Sequence, residues 1–273
     1  MFWTRRIPPV VAVAATILAS QTGLAAAATV AVGNHHLVYT AIGADVNDLR
    51  VARHSGIFVV RDLESTLVAG VGCTSVTVHK AACPATGVRA FSAALGPGAD
   101  RAVVSNLLRL PTIVVRAGLG ADTLESVVAH VEFRGGPGRD RVLGGLRADV
   151  LLGGRGADFI RGRGGADRLY GGAGDDLMIA GPGLDRAFGQ AGDDEIHGGT
   201  GSDRLQGGPG EDNLDDFSGH DLLFGGRAAD YLNTFEIVPD GQPGDYLNAG
   251  AGPDYGCRAT PDDILVGCDE AAK

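Results

Sequence analysis

The chain has 273 residues, including 44 Gly, with 33 acidic against 23 basic side chains, a formal net charge of −10 and only 5% aromatics. An acidic balance of this kind argues against nucleic acid as a partner, and so few bulky side chains cannot fill a round globule at native density. Length and composition leave one or two domains built around a thin, elongated core.

Residues 1–28 read as a secretory signal peptide. Arg5 and Arg6 supply the charged start, Val10 to Leu18 a short apolar stretch and Ala25 to Ala28 the small residues for cleavage. That stretch is too short to span a bilayer, and no second apolar run of spanning length follows. The mature chain is therefore expected to be secreted and extracellular, without a transmembrane segment. The four cysteines suit that compartment. They allow three pairings, and the two local ones, Cys73 with Cys83 and Cys257 with Cys268, are expected. Their spacing fits no zinc signature.

Residues 29–112 hold short β-branched runs punctuated by Gly, Asn and Asp: Leu37 to Thr40, Leu49 to Ala52, Ile57 to Val60 and Val76 to Val78. These predict strands. No apolar stripe of helical period appears after the leader. A degenerate repeat then appears, leading into a β-roll expected over residues 113–257. GPGAD (96–100) and AGLGADTLE (117–125, with Asp122 sixth) are degenerate copies. From Gly135 to Asn233 a nine-residue unit recurs eleven times without a gap, with Asp140, Asp149, Asp158, Asp167, Asp176, Asp185, Asp194, Asp203, Asp212, Asp221 and Asp230 at its sixth position. Thr234 to Pro239 break the phase, two weaker units carry Asp245 and Asp254, and residues 258–273 read as a C-terminal cap.

Each unit predicts a Gly-rich turn of six residues followed by a three-residue strand. Position eight is Val142, Leu151, Ile160, Leu169, Met178, Ala187, Ile196, Leu205, Leu214, Leu223 and Leu232, so it should face inward. Strands this short must stack. Two units make one 18-residue coil, and successive coils pair in parallel about 4.8 Å apart. The fold expected is all-β: a parallel β-roll, a right-handed β-solenoid, with a strand-rich N-terminal region continuing into it. Asp140, Asp158, Asp176, Asp194, Asp212 and Asp230 then line one edge, and Asp149, Asp167, Asp185, Asp203 and Asp221 the other. Carboxylates near 5 Å repel by roughly 0.8 kcal/mol even at water's dielectric. A hard dication with six or more oxygen ligands removes that repulsion, and Ca2+ suits the flexible geometry better than Mg2+. The thin core offers little to offset the entropy of ordering so many glycines, so the array is expected to be largely disordered without the metal.

The units GGPGRDRVL (135–143), GGRGADFIR (153–161), GGAGDDLMI (171–179) and GGTGSDRLQ (198–206) resemble the RTX (repeats-in-toxin) nonapeptide GGxGxDxUx, a known calcium-binding repeat. The layout is also similar to that of secreted bacterial calcium-binding proteins. The resemblance implies several Ca2+ ions between adjacent turns. The eleven aspartates, and Asp122 in the weaker unit, would be side-chain ligands. Gly136, Gly138, Gly154, Gly156, Gly172, Gly174, Gly199 and Gly201 would give backbone oxygens. Departures from the pattern are Arg147 and Ala228 at position four, Arg163, Gln190 and Phe217 at position two, and Asp216 at position one. The site nearest Arg147 is expected to be weak, because a guanidinium lies close in sequence.

No HExxH, GxSxG or phosphate-loop pattern is present, and no catalytic residue is assigned. A non-enzymatic calcium-binding role is expected, with a cell-surface or extracellular polymer as a possible further partner. The alternatives are a surface adhesin with residues 29–134 as its head, or an enzyme acting on acidic polysaccharide.

Overall fold

The computed structural model describes residues 27–43, 46–77, 79–105, 107, 110–127, 130–216, 218–234, 244–252, 254–259, 261–268 and 270–271. The leader expected over residues 1–28 lies almost wholly outside these, as do Val78 and Phe217. Every regular element among the described residues is a strand. They form a 13-stranded and a 12-stranded sheet lying on either side of one core, and a small two-stranded sheet. The chain alternates between the two large sheets, which makes the fold a parallel β-solenoid.

Parallel stacking starts well before the regular repeats. Ala90–Pro97 pairs with His36–Ala41, and Arg101–Ser105 pairs with Asp48–His54, both in parallel. Between these first two coils the chain makes an antiparallel excursion. Ile57–Asp62 pairs with Asp48–His54, and Lys80–Pro84 returns along Ile57–Asp62. The disulfide Cys73–Cys83 pins this excursion, and Cys257–Cys268 ties the far end of the roll. Both bonds are the local pairs expected from spacing.

The inward stripe is the one the repeat predicts: all eleven position-eight side chains are fully buried, from Val142 to Leu232. The strands are longer than predicted. Val150–Arg155, Arg168–Ala173 and Glu195–Thr200 each run six residues, from position seven of one unit through position three of the next. The glycines at positions one and two thus belong to the strand. Gly136, Gly154 and Gly172 stack in register across coils. The true turn is only positions four to six. Three-residue strands do occur at Arg141–Leu143, Phe159–Arg161 and Asn213–Asp215. Each precedes a unit whose glycines are replaced, by Arg147, Arg163 or Asp216 respectively.

Arg163, Gln190 and Ala228 keep the left-handed backbone of the glycines they replace, with φ of 78°, 82° and 85°. Stacking against neighbouring coils imposes this conformation against the preference of an L-residue. Arg163 recovers part of the cost. Its guanidinium donates to Ser126 O at 2.8 Å and Gly144 O at 3.1 Å and pairs with Glu125.

Candidate metal centre

Every position-six aspartate is buried, at 3% exposure or less. The first oxygen of each carboxylate is already used. Asp140 N–H donates to Asp158 Oδ1 at 2.7 Å, Asp158 N–H to Asp176 Oδ1 at 2.7 Å, and Asp176 N–H to Asp194 Oδ1 at 2.9 Å. The same link joins Asp149, Asp167, Asp185, Asp203 and Asp221 on the opposite edge. Each edge is thus a continuous carboxylate–amide ladder, one rung per coil. The sequence made these groups look like bare repelling charges. In the fold, each carboxylate is half satisfied by a peptide N–H.

The ladders reach further than the regular repeats. Asp122, placed among the ligands by its phase, is a rung between Asp100 and Asp140. Asp100, Asp254 and, on the other edge, Asp245, which the sequence placed in weaker copies but not among the ligands, are rungs as well, and so is Asp263, which the repeat did not single out. The first ladder ends on a neutral residue. Asn47 donates to Asp100 Oδ1 through both N–H and Nδ2, and its own Oδ1 accepts from Tyr39 and Ser65.

The second oxygens are different. Oδ2 of Asp122, Asp140, Asp158, Asp176, Asp194, Asp212 and Asp230 on one edge, and of Asp167, Asp185 and Asp203 on the other, is sealed from solvent and accepts no hydrogen bond. A second acceptor lies beside it. A Cβ built on Gly171 would meet Asp176 Oδ2 and sit 2.7 Å from Gly189 O. One on Gly153 would meet Asp158 Oδ2 and sit 2.8 Å from Gly171 O, and one on Gly162 would meet Asp167 Oδ2 and sit 2.6 Å from Ala180 O. A carboxylate oxygen and a carbonyl oxygen therefore converge on the α-carbons of Gly153, Gly162 and Gly171, and likewise on those of Gly135 and Gly225. Solvent does not reach these Oδ2 atoms, so either a proton on the carboxyl, donated to the carbonyl, or a cation can satisfy the pair, and only the cation does so with the carboxylate ionised. The residues present fit Ca2+.

Burial is also the largest influence on the acidity of these groups. It raises Asp140, Asp167, Asp176, Asp185, Asp194 and Asp230 from 3.8 to about 7, and Asp122, Asp149, Asp158 and Asp212 to about 6, against the opposing pull of the amide each one accepts. A bound dication acts in the opposite sense, favouring the carboxylate form.

With this geometry, the comparison with known families is direct. The family model described as the RTX calcium-binding nonapeptide repeat matches residues 134–169, 143–178, 170–205, 179–214 and 197–232. Residues 134–232 are RTX calcium-binding repeats. No curated protein matches the chain.

Within the RTX array, the eight glycines taken as carbonyl donors all have positive φ: 121°, 132°, 124° and 121° at Gly136, Gly154, Gly172 and Gly199, and 156°, 121°, 124° and 130° at Gly138, Gly156, Gly174 and Gly201. A Cβ on Gly154 would run into Gly136 O, and one on Gly156 into Gly138 O. Position one was passed over by sequence reasoning, although its carbonyl is the one that faces Oδ2. Its Gly is needed there for space rather than for backbone conformation. Ala180 and Ala249 show that the stack tolerates a methyl at this position. Gly171→Ala is accordingly expected to fold in register but to crowd the point where Asp176 Oδ2 and Gly189 O converge. Ala180 already does so beside Asp185, whose site is expected to be weaker than its neighbours. A calcium titration followed by calorimetry should show one site fewer, and an unchanged stoichiometry would refute this role for position one.

The start of the second edge needs no metal. Gly145 N–H donates to Asp149 Oδ2 at 2.6 Å, closing the oxygen that stays open in other units. Arg163 meanwhile occupies the Gly144 and Ser126 carbonyls. Arg147, whose charge motivated the expectation of a weak site, is exposed at the turn tip. What sets this unit apart is thus a carboxylate satisfied by its own turn, not the charge of Arg147.

Adjacent acids give no catalytic pair in the array. Asp175 and Asp193 are exposed while Asp176 and Asp194 are buried, so each pair faces two ways.

Proposed function

We propose that this chain is an exported, non-enzymatic calcium-binding protein whose RTX array folds as Ca2+ enters between its coils. The observation that carries this reading is the row of buried, unsatisfied Oδ2 atoms, of which those of Asp140, Asp158, Asp167, Asp176 and Asp230 face a carbonyl oxygen. Asp140, Asp158, Asp176, Asp194, Asp212 and Asp230, with Asp122, would hold ions along one edge, and Asp167, Asp185, Asp203 and Asp221 along the other. Turn carbonyls, including those of the position-two and position-four glycines, would complete each shell. The ion supplies charge neutralisation and cross-linking of successive coils, and no reaction is assigned.

Export is supported by the leader-like residues 1–28 and by two disulfides, which persist in oxidising compartments. No helix among the described residues is long and apolar enough to cross a membrane. In domain terms, residues 29–112 would carry the excursion and the first coils, residues 113–257 the calcium roll and residues 258–273 its cap. Isothermal calorimetry with Ca2+, read beside circular dichroism, should show several ions bound per chain and a gain of strand signal in the same concentration range. Binding of one ion or none, or binding with no spectral change, would defeat the proposal.

A further inference from the structure

The unit at residues 216–224 breaks the repeat at position one, where Asp216 stands in place of Gly. In regular units the group facing Oδ2 across the coil gap is a neutral carbonyl. Here a Cβ on Gly198, one coil earlier, would meet Asp216 Oδ2 and sit 3.1 Å from Asp203 Oδ2. A carboxylate has therefore taken the carbonyl's place. Asp203, Asp216 and Asp221 are all buried, and each offers an oxygen within 4.8 Å of the other two. Asp203 is 2% exposed, and its Oδ2 points into this cluster with no hydrogen-bond partner. Asp216 is fully buried and anchored from both ends. Its N–H donates to Asn233 O at 2.8 Å, and its Oδ1 accepts from Gly199 N–H at 3.2 Å. Its carboxylate is thus built into the gap rather than left to swing toward solvent.

We propose that Asp203, Asp216 and Asp221 form the highest-affinity divalent-cation site of the chain, the one Ca2+ fills first and from which the roll orders. This rests on the calcium reading of the array. Affinity in oxygen-ligand sites rises with the number of charged ligands, and this site carries one carboxylate more than its neighbours. Three anions this close also make it the worst place in the roll to leave without a cation. Its position suits a nucleus. It lies late in the array, next to the break in phase after Asn233, where an ordered coil would hold the regular units against the weaker ones beyond.

Hydrogen exchange read by mass spectrometry on the full mature chain, across a Ca2+ titration, locates the first ion. Peptides covering residues 198–224 should gain protection at the lowest Ca2+ concentration. Asp216→Gly, which restores the residue most repeats use at this position, should raise the half-protection concentration of that segment about tenfold, with peptides from residues 135–170 protected as before at saturation. Asp216→Asn keeps the acceptor for Gly199 N–H and should give the same shift, so a folding defect in the glycine variant does not stand in for the result. Protection that starts elsewhere, or an unchanged half-point in both variants, overturns the proposal while leaving the array reading intact. Absence of any Ca2+-dependent protection in the wild-type chain overturns both.

Discussion

In the presence of chelator, the RTX array is expected to lose strand signal as pH rises from 5 to 8, whereas in millimolar Ca2+ it should hold that signal across the upper part of the range. The sign follows from the buried aspartates. Their pKa in the fold is raised from 3.8 to about 6 or 7, chiefly by desolvation. A group raised in the folded state favours folding fully below its unfolded pKa, and that contribution is lost as pH climbs through the folded value. Without metal, then, mild acid protects the stack and alkali loosens it. With Ca2+ the carboxylate is the wanted form, so binding must expel protons and weaken below about pH 6. Each site held at a hundredfold excess over its Kd adds about 2.7 kcal/mol. Several such sites exceed the stability of an ordinary domain, about 5–15 kcal/mol. Circular dichroism against pH in the two solutions checks the crossing, and calorimetry in buffers of different ionisation enthalpy checks the proton release. Parallel curves, or binding without proton release at pH 6, would contradict the assignment of these carboxylates.

The roll was legible in the sequence wherever its period is strict. Position eight, the 18-residue coil, the two edges and the place of Asp122 all follow from spacing, because stacking demands that equivalent residues recur at a fixed interval. Legibility fails where the chain leaves the stack and returns. Asn47 and Asp100 are neighbouring rungs 53 residues apart, since the antiparallel excursion lies between them. Asp221 and Asp230 bond to Asp245 and Asp254 at a separation of 24, because six extra residues follow Asn233. A search at fixed period steps over the first join, whereas the second stays visible because two weaker units resume the phase with Asp245 and Asp254. The glycine pairs misled for another reason. Gly disfavours strands in general, so Gly153 and Gly154 read as turn. In the stack their lack of side chains lets carbonyls and carboxylates of successive coils approach, and the strand runs through them. The amide accepted by each Oδ1 left no mark in the sequence, since it depends on the rise between coils rather than on residue type.

That ladder makes Asp176→Asn the most discriminating substitution in the array. Asparagine keeps Oδ1 to accept from Asp158 N–H and places an NH2 group where Oδ2 now faces Gly189 O. It mimics the neutral rung already present at Asn47, needs no cation and buries no charge. In chelator at pH 8 the wild-type group must either ionise in a dry site or hold a proton above its pKa of about 7. The variant is therefore expected to retain more strand signal there than the wild type. In saturating Ca2+ the order should reverse, because one site loses a charged ligand, at a cost of up to about 2.7 kcal/mol. Asp176→Ala gives no such inversion. It leaves the buried Asp158 N–H without an acceptor, which costs about 1–3 kcal/mol with or without metal. It should also cost more than Asp254→Ala, since Asp254 is the last rung of its edge among the described residues and holds Asp230 N–H at the longer distance of 3.1 Å. Strand signal by circular dichroism in chelator across pH 5 to 8, and urea unfolding in Ca2+, of the three variants and the wild type separate these outcomes. An asparagine variant that fares worse than wild type in chelator as well as in Ca2+ would show that Oδ2 is no burden without metal and would overturn the case for an ion at the oxygen facing Gly189 O.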